Sequence, residues 1–396
     1  MSRLRAVAAV LTLGMPFVVT AADITRVASS FEDNDPFGLF IDAGVEYSQR
    51  NAKILREDGV PSANGSTTTA LRNARSYGQY ETVLNVDLAA GISQDVEFTF
   101  GLPVVLFRNE YWNPPEGSGV DLSNVPLRSK AYRRGLGNAR FGLGWAIFNQ
   151  KKDDTKPTWV ARFNYEAPTA AVLDPSVDTE NSPATPVGDR VHKYTLSTAL
   201  SRRIGLAEPY FRASYTIPVR GPGAYSNCDG RVNLGTPENC NQNGWSRKDT
   251  GIQAPHVVGV VMGTEIQVGG RAARMLKLDV RAMGNFVSGG RYYNELSGAL
   301  GKLLTTSEYL QVGGQLGATF LLNEYISFRA SGVFLYNTDH VLTAEPEGRD
   351  ADGDGRADSA ADRNPSFNEN WDLPSKRFYA SETRDLRVNA TIVFQF

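Results

Sequence analysis

The stretch from Leu386 to Phe396 reads L-R-V-N-A-T-I-V-F-Q-F. Apolar residues occupy every second position, at Val388, Ala390, Ile392, Phe394 and Phe396. Polar residues stand between the first of them, at Arg387, Asn389 and Thr391. Because successive side chains of a strand point to opposite faces, this pattern predicts a strand with one apolar face and one polar face.

The same alternation recurs along the chain and predicts twelve strands. Two of them, 84–90 and 96–102, flank a tight turn at Ser93-Gln94-Asp95. The connections alternate between five short turns and six long loops. This alternation is typical of an all-β fold, the transmembrane up-and-down antiparallel β-barrel, with short periplasmic turns and long extracellular loops. A soluble β-sandwich gives no reason for such regularity.

Four of the long loops are predicted over residues 50–76, 108–137, 288–306 and 340–382. Aromatic residues lie near strand ends, where a barrel carries its interfacial girdles. The predicted girdle residues are Tyr47, Trp145, Trp159, Tyr165, Tyr210, Tyr325 and Tyr336.

The first residues have the features of a secretory signal peptide. Arg3 and Arg5 precede an apolar stretch over 6–19, and the small residues Thr20-Ala21-Ala22 suit a signal peptidase. We predict cleavage after Ala21 or Ala22 and therefore a signal peptide over residues 1–22. Residues 23–36 form a polar periplasmic segment that hangs free or folds into a lumen, and residues 37–396 form the barrel. The net charge of -2 and the lack of a basic patch argue against a nucleic-acid partner.

From its signal peptide to its terminal Phe396, the chain resembles Gram-negative outer-membrane barrels of the porin and small-solute channel kind. The resemblance implies export through the secretory pathway and residence in outer-membrane lipid. It also implies that the barrel-assembly machinery recognises the C-terminal strand, and that small hydrophilic solutes cross by passive diffusion. The alternative is a non-conducting barrel, either the outer-membrane scaffold of an envelope-spanning export or motility machine with periplasmic partners, or a surface adhesin.

The alternation also predicts which charged side chains point into the lumen. They are Asp42, Glu46, Asp87, Glu97, Arg140, Arg162, Glu166, Lys193, Arg212, Glu265, Lys277, Asp279, Arg281, Arg329 and Arg387. Opposed acidic and basic walls would orient polar solutes in a transverse field. Alternatively, the charges pair with one another and close a narrow lumen, and the sequence leaves both possibilities open.

The last long loop contains a candidate calcium site with Asp350, Asp352, Asp354 and Asp358 as ligands. The stretch resembles the first part of an EF-hand loop, in which alternate carboxylates converge on one hard cation. Ala361 stands where an EF-hand has its final Glu. We therefore expect weak calcium binding, on the order of 0.1–1 mM, with a solvated acidic loop as the alternative.

The chain has two cysteines, Cys228 and Cys240, which lie in one predicted loop. In an exported protein such a pair predicts a disulfide. The three histidines, His192, His256 and His340, belong to no catalytic motif, and the sequence lacks G-x-S-x-G, H-E-x-x-H and P-loop patterns. The sequence therefore predicts a protein that is not an enzyme and needs no cofactor besides the candidate calcium ion.

Overall fold

The computed structural model describes residues 22–28, 38–61, 67–114, 120–179, 184–229, 245–271, 274–350, 353–356, 359 and 361–396. The strands within these residues are β1 (Leu39–Pro61), β2 (Thr67–Ser93), β3 (Val96–Asn113), β4 (Lys130–Leu136), β5 (Ala139–Phe148), β6 (Thr158–Ala167), β7 (Val191–Ser201), β8 (Ala207–Arg220), β9 (Val257–Arg271), β10 (Arg274–Val287), β11 (Gly290–Tyr292), β12 (Leu304–Thr306), β13 (Tyr309–Leu321), β14 (Ile326–Asn337), β15 (His340–Val341) and β16 (Phe378–Gln395). A short helix, α1 (Ser297–Leu300), and a 3₁₀ turn at Asn227–Asp229 complete the described elements. None of the helices in these ranges has the length and hydropathy of a membrane span.

Twelve strands close into one antiparallel barrel, which confirms the predicted fold class and strand number. Their order is β1-β2-β3-β5-β6-β7-β8-β9-β10-β13-β14-β16. The barrel closes because β16 pairs with β1, from Phe40 opposite Gln395 to Arg56 opposite Phe378. Closure leaves none of these twelve barrel strands at a free sheet edge, as a β-protein that spans lipid requires.

The outer face of the barrel is apolar. In β16 the side chains of Val388 and Ile392 are 50% and 44% exposed, whereas the adjacent Val393 points inward and is 1% exposed. The same outward exposure recurs at Val45, Leu143 and other large apolar residues. An apolar outer band on a closed antiparallel barrel is the architecture of Gram-negative outer-membrane proteins.

We call the end of the barrel with the short connections the turn end, and the opposite end the loop end. At the loop end the strands run further than predicted. Residues 50–76 are a paired hairpin and not a loop, since β1 and β2 remain in register as far as Pro61 opposite Thr67. Beyond the membrane both faces of a hairpin meet water, so the alternation fades although the backbone pairing continues. The predicted loop 108–137 likewise contains the end of β3 and all of β4, which pairs with β3.

One predicted girdle residue was assigned to the wrong face. Tyr210 is 5% exposed, lies inside the barrel and donates a hydrogen bond to the carboxylate of Asp279. Its neighbour Phe211 is 38% exposed and occupies the outward position. Because successive side chains of β8 point to opposite faces, an outward Phe211 requires an inward Tyr210.

Candidate functional site

A row of charged side chains runs from strand to strand along the inner face of the barrel, at one level. Strand register places its members opposite one another in the order Asp42, Asp87, Gly101, Arg140, Glu166, Lys193. Arg140 reaches Asp87 across Gly101, with Nη2 3.0 Å from Oδ1. A Cβ atom on Gly101 would lie 2.1 Å from that Oδ1, so the pairing depends on a glycine at this position.

The row is extended by ion pairs at both of its ends. The Nζ of Lys193 is 2.9 Å from a carboxylate oxygen of Glu166 and 2.9 Å from one of Asp189. At the other end Arg329, on β14, places Nη1 3.7 Å from Oδ2 of Asp42. We define the central belt as Asp42, Asp87, Arg140, Glu166, Lys193 and Arg329.

Two polar cavities meet at the central belt. One of about 620 Å³ extends toward the turn end, and one of about 810 Å³ extends toward the loop end. All six belt residues line both cavities. Cavities of several hundred Å³ match the size of small-molecule sites. A solute that passes between the two cavities must therefore pass the belt charges.

Residues 22–28, which we call the N-terminal plug, lie inside the barrel at its turn end. The backbone N–H of Ala28 donates to Glu97 Oε2 at 2.8 Å. Arg162 Nη1 donates to the carbonyl of Ile24 at 2.6 Å. These contacts are hydrogen bonds between the backbone of the plug and charged side chains of the barrel wall. Of the two possibilities that the sequence left for residues 23–36, residues 23–28 follow the one in which the segment folds into the lumen, and residues 29–36 lie outside the described residues.

At the loop end, residues 290–306 fold into the barrel mouth, and we call them the inner loop. The sequence predicts this segment only as part of a long loop over residues 288–306, without a position for it relative to the lumen. Its helix α1 is fully buried, and Leu300 is 0% exposed in a cluster with Ile54, Trp371 and Phe378. The side chain of Trp112 donates a hydrogen bond to the carbonyl of Glu295 at 2.6 Å. The inner loop therefore packs in a hydrophobic core that it shares with the barrel strands at the loop end.

Buried ionic groups fix the inner loop to the long loop between β15 and β16. Arg291 forms an ion pair with Glu345, and Lys302 donates to the carbonyl of Ser366. Burial raises the pKa of Asp372 to about 6, against the attraction of Lys302. Burial also lowers the pKa of Lys302. The buried side chains of Arg291 and Lys302 therefore attach the inner loop to this long loop, through an ion pair with Glu345 and a hydrogen bond to Ser366.

The predicted lumen residues divide into two groups. Those that line the two cavities are Asp42, Glu46, Asp87, Glu97, Arg140, Arg162, Glu166, Lys193, Arg329 and Arg387. The others, Arg212, Glu265, Lys277, Asp279 and Arg281, lie on β8 to β10. Glu265 stands opposite Asp279 and accepts the backbone N–H of Asp23 at 2.6 Å. This part of the wall therefore contacts the N-terminal plug.

The prediction from sequence missed the lumen residues that come from outside the predicted strands. Asp23, Arg50, Glu81, Tyr292 and Glu295 each line one of the cavities. Arg50 and Glu81 continue the inward parity of β1 and β2, so a longer reading of the alternation finds them. Asp23, Tyr292 and Glu295 have no such periodicity, because contacts with residues far away in the sequence determine their positions in the lumen.

Two of the four candidate calcium ligands, Asp352 and Asp358, lie outside the described residues. Asp350 and Asp354 are described, and the Asp350 carboxylate accepts the backbone N–H of Gly353 at 2.6 Å. Within the ranges that the structure covers, no group of three or more His, Cys, Asp or Glu side chains is arranged to hold a metal ion. Calcium binding therefore stays a prediction.

The predicted disulfide also stays a prediction, since Cys240 lies outside the described residues. The three histidines each have a hydrogen-bond partner at Nδ1. His192 contacts the hydroxyl of Tyr165 at 2.8 Å, and His256 contacts that of Tyr215 at 2.9 Å. The third, His340, contacts a backbone carbonyl at 2.8 Å.

No protein-family model matches the chain, and no curated protein matches it. Solved structures of similar fold include an outer membrane channel from Pseudomonas putida F1, with 10% identity over 92% of this chain and 99% of that chain and a TM-score of 0.45. A Pseudomonas aeruginosa FadL homologue has 8% identity over 93% and 92% of the two chains, with a TM-score of 0.40. The TodX monoaromatic hydrocarbon channel, as its deltaS2 mutant, has 10% identity over 96% and 94%, with a TM-score of 0.33. Such distant likenesses do not assign a function, which has to be argued from the lumen.

Proposed function

We propose that this protein is an outer-membrane channel through which small hydrophilic solutes diffuse passively, with the central belt selecting among them by charge. The observation that supports this proposal is the meeting of two polar cavities at the belt. No catalytic step or energy source is part of the proposal.

The belt carries equal numbers of acidic and basic groups. Asp42 and Asp87 lie on β1 and β2, whereas Lys193 lies on β7, five barrel strands beyond β1. In a barrel of twelve strands this separation places Lys193 nearly across the lumen from Asp42. The ion pairs of Arg329 with Asp42 and of Lys193 with Glu166 put both signs of charge on each of these walls, so a solute at the belt meets paired charges on either side, which favours dipolar or zwitterionic molecules over apolar ones.

The N-terminal plug and the inner loop bound the two cavities, so conduction through the barrel requires one or both to move. The plug is the shorter of the two and is attached by a few polar contacts, such as that of Ala28 with Glu97. The inner loop has a buried apolar cluster around Leu300. We expect the plug to yield first and the inner loop to stay in place.

Single-channel recording in planar bilayers tests the proposal. The refolded chain and a variant without residues 22–28 are compared after heat-modifiable gel mobility has confirmed that both fold. We expect ohmic steps from both and a larger open fraction from the truncated variant. Silence from both folded proteins would overturn the channel proposal and favour the non-conducting scaffold.

Ion selectivity tests the role of the belt. Lys193→Glu changes the charge of the belt by two units, and Lys151→Glu makes the same change in a short turn outside the lumen. We expect Lys193→Glu to shift the reversal potential toward cation selectivity and Lys151→Glu to leave it near the wild-type value. Equal shifts from both variants would assign selectivity to the general field of the protein and not to the belt.

A further inference from the structure

The backbone nitrogen of Ala22 is buried at the turn end of the barrel. It donates a hydrogen bond to Glu208 Oε1 at 2.7 Å. Glu208 is 6% exposed, and Ala22 is 0% exposed. The hydroxyl of Ser201 donates to the same carboxylate oxygen at 2.7 Å. The nitrogen of residue 22 is thus aimed at a carboxylate that is shielded from water.

Neither hydrogen-bond partner of Glu208 contributes a cationic side chain. A buried carboxylate is costly as an anion unless a positive charge lies beside it. An amide N–H and a hydroxyl supply dipoles but no net charge. Within the described residues, the hydrogen bonds to Glu208 therefore bring it no cation, and a positive charge on the Ala22 nitrogen would supply one.

The sequence supplies that cation if the chain is cut between Ala21 and Ala22. In this hydrolysis water adds across the peptide bond, Ala21 leaves with a new carboxylate, and the nitrogen of Ala22 becomes an ammonium group. We infer that signal peptidase cleaves at this bond and that Glu208 holds the resulting α-ammonium of Ala22 in an ion pair. The N-terminal plug is then attached to the barrel wall through the charge that its own processing creates.

Cleavage one residue later fits the structure less well. The mature chain would then begin at Asp23, whose nitrogen faces Glu265 at 2.6 Å, and Glu208 would lose the partner it has at Ala22. Cleavage after Ala22 would also remove the carbonyl of Ala22, which accepts the backbone N–H of Thr25 at 2.9 Å. The contacts of residue 22 therefore select the bond after Ala21.

Intact-mass measurement on the protein extracted from outer membranes of cells expressing the full chain tests the cleavage site. The inference predicts a mature chain that begins with Ala22. A chain that begins with Asp23, or one that retains residues 1–21, would overturn it. This measurement does not involve conduction, so its result is independent of the proposed channel function.

Amine labelling tests the ion pair. Reductive methylation near neutral pH followed by peptide mass spectrometry reports how accessible the α-amine is. Pairing with a carboxylate keeps the amine protonated, and each pKa unit of added stabilisation slows labelling about tenfold. We expect labelling of the folded protein to be at least that much slower than labelling of the urea-unfolded chain. Equal labelling rates in the folded and unfolded states would overturn the ion pair between the α-ammonium of Ala22 and Glu208.

A pair of matched variants separates the ion pair from simple burial. Glu208→Gln keeps the size of the side chain and removes its charge, and Glu46→Gln makes the same change at a residue that lines the cavity toward the loop end. We expect faster α-amine labelling in Glu208→Gln and wild-type labelling in Glu46→Gln, with gel mobility confirming that both are folded. No change in folded Glu208→Gln would show that burial alone protects the amine, and would overturn the role of Glu208.

Discussion

Oδ2 of Asp23 lies 3.0 Å from Nε of Arg329, and this ion pair joins the N-terminal plug to the central belt. The same guanidinium lies 3.7 Å from Asp42, so one arginine serves a plug residue and a wall residue together. The side chains of Asp23 and Arg329 are 23% and 27% exposed, which makes the pair half-buried. A pair in this setting is screened less than one on the surface and more than one in a dry core.

Arg329→Gln is expected to loosen the plug. The substitution leaves two carboxylates without their shared cation, at a cost of about 1 kcal/mol for a half-buried pair. That cost corresponds to a change of about fivefold in the ratio of open to closed channels, measured by single-channel recording. Arg384→Gln is the matched control, since its side chain is 61% exposed at the loop end. Equal open fractions in wild type and Arg329→Gln would show that the ion pair does not hold the plug.

Gly101→Ala is expected to disrupt the belt. Its Cβ would lie 2.1 Å from the carboxylate of Asp87 and 3.2 Å from Nε of Arg140, so the ion pair has to separate. We expect a loss of about 1–3 kcal/mol in unfolding free energy, measured by urea titration in vesicles, together with altered conductance. Gly332→Ala is the control, because a Cβ there has no atom within 4 Å. Similar losses from the two variants would attribute the effect to strand glycines in general.

The barrel could be predicted from the sequence because its signal is local and repeated. Each strand shows the same alternation of apolar and polar residues. Short turns and long loops also alternate along the chain, because all the short turns lie at one end of the barrel and the long loops at the other. Belt residues such as Asp42, Arg140 and Lys193 were on the predicted lumen face for the same reason. Tyr210 shows that parity has to be applied to aromatic residues as strictly as to charged ones.

The segments inside the barrel could not be predicted in this way. The N-terminal plug has no periodicity of its own, and its place depends on partners more than 100 positions away, such as Arg162 and Glu208. The inner loop does carry a signal, because Leu296, Leu300 and Leu303 are more apolar than an exposed loop requires. Read as a candidate core, that run would have indicated a buried segment at the loop end.

Trp112→Ala is expected to destabilise the inner loop. The indole is 1% exposed, and it lies against α1, where a Cβ on Gly298 would come within 2.6 Å of the ring. Loss of its packing and of its hydrogen bond to Glu295 should cost about 3–5 kcal/mol. Hydrogen exchange of the amides of residues 297–304 should become faster by orders of magnitude.

Trp145→Ala provides the control for this prediction, since that indole is 55% exposed on the outer face. We expect it to leave exchange in residues 297–304 unchanged. Unchanged exchange in Trp112→Ala as well would show that Trp112 does not support the inner loop.

Calcium titration tests the acidic loop before β16. Asp350 already accepts the backbone N–H groups of Gly353 and Gly355, both of which have positive φ angles. We expect isothermal titration to give a dissociation constant on the order of 0.1–1 mM and Asp350→Asn to weaken it about tenfold. Asp153→Asn, in a short turn at the other end, should leave the constant unchanged. Identical titrations for wild type and Asp350→Asn would show that this loop is not a calcium site.

Asp372 is expected to make the attachment of the inner loop pH-dependent. The carboxyl is 2% exposed, and burial raises its pKa to about 6 from the usual 3.8, with Lys302 opposing the shift. A carboxyl whose pKa is higher in the folded state stabilises that state when protonated. Its contribution is complete below about pH 4 and is lost as the pH rises through about 6, a change on the order of 3 kcal/mol.

Glu345 has the opposite sign, because Arg291 holds its pKa below the usual value although burial opposes this. Its contribution is present at neutral pH and is lost only as the pH falls below the ordinary range of a glutamate. Between about pH 4 and pH 6 the Asp372 effect therefore dominates, and exchange in residues 297–304, corrected for its intrinsic pH dependence, should become faster as the pH rises. Asp372→Asn should remove this slope, whereas Glu369→Gln, at an exposed position, should keep it. A slope that persists in Asp372→Asn would assign the pH dependence to another group.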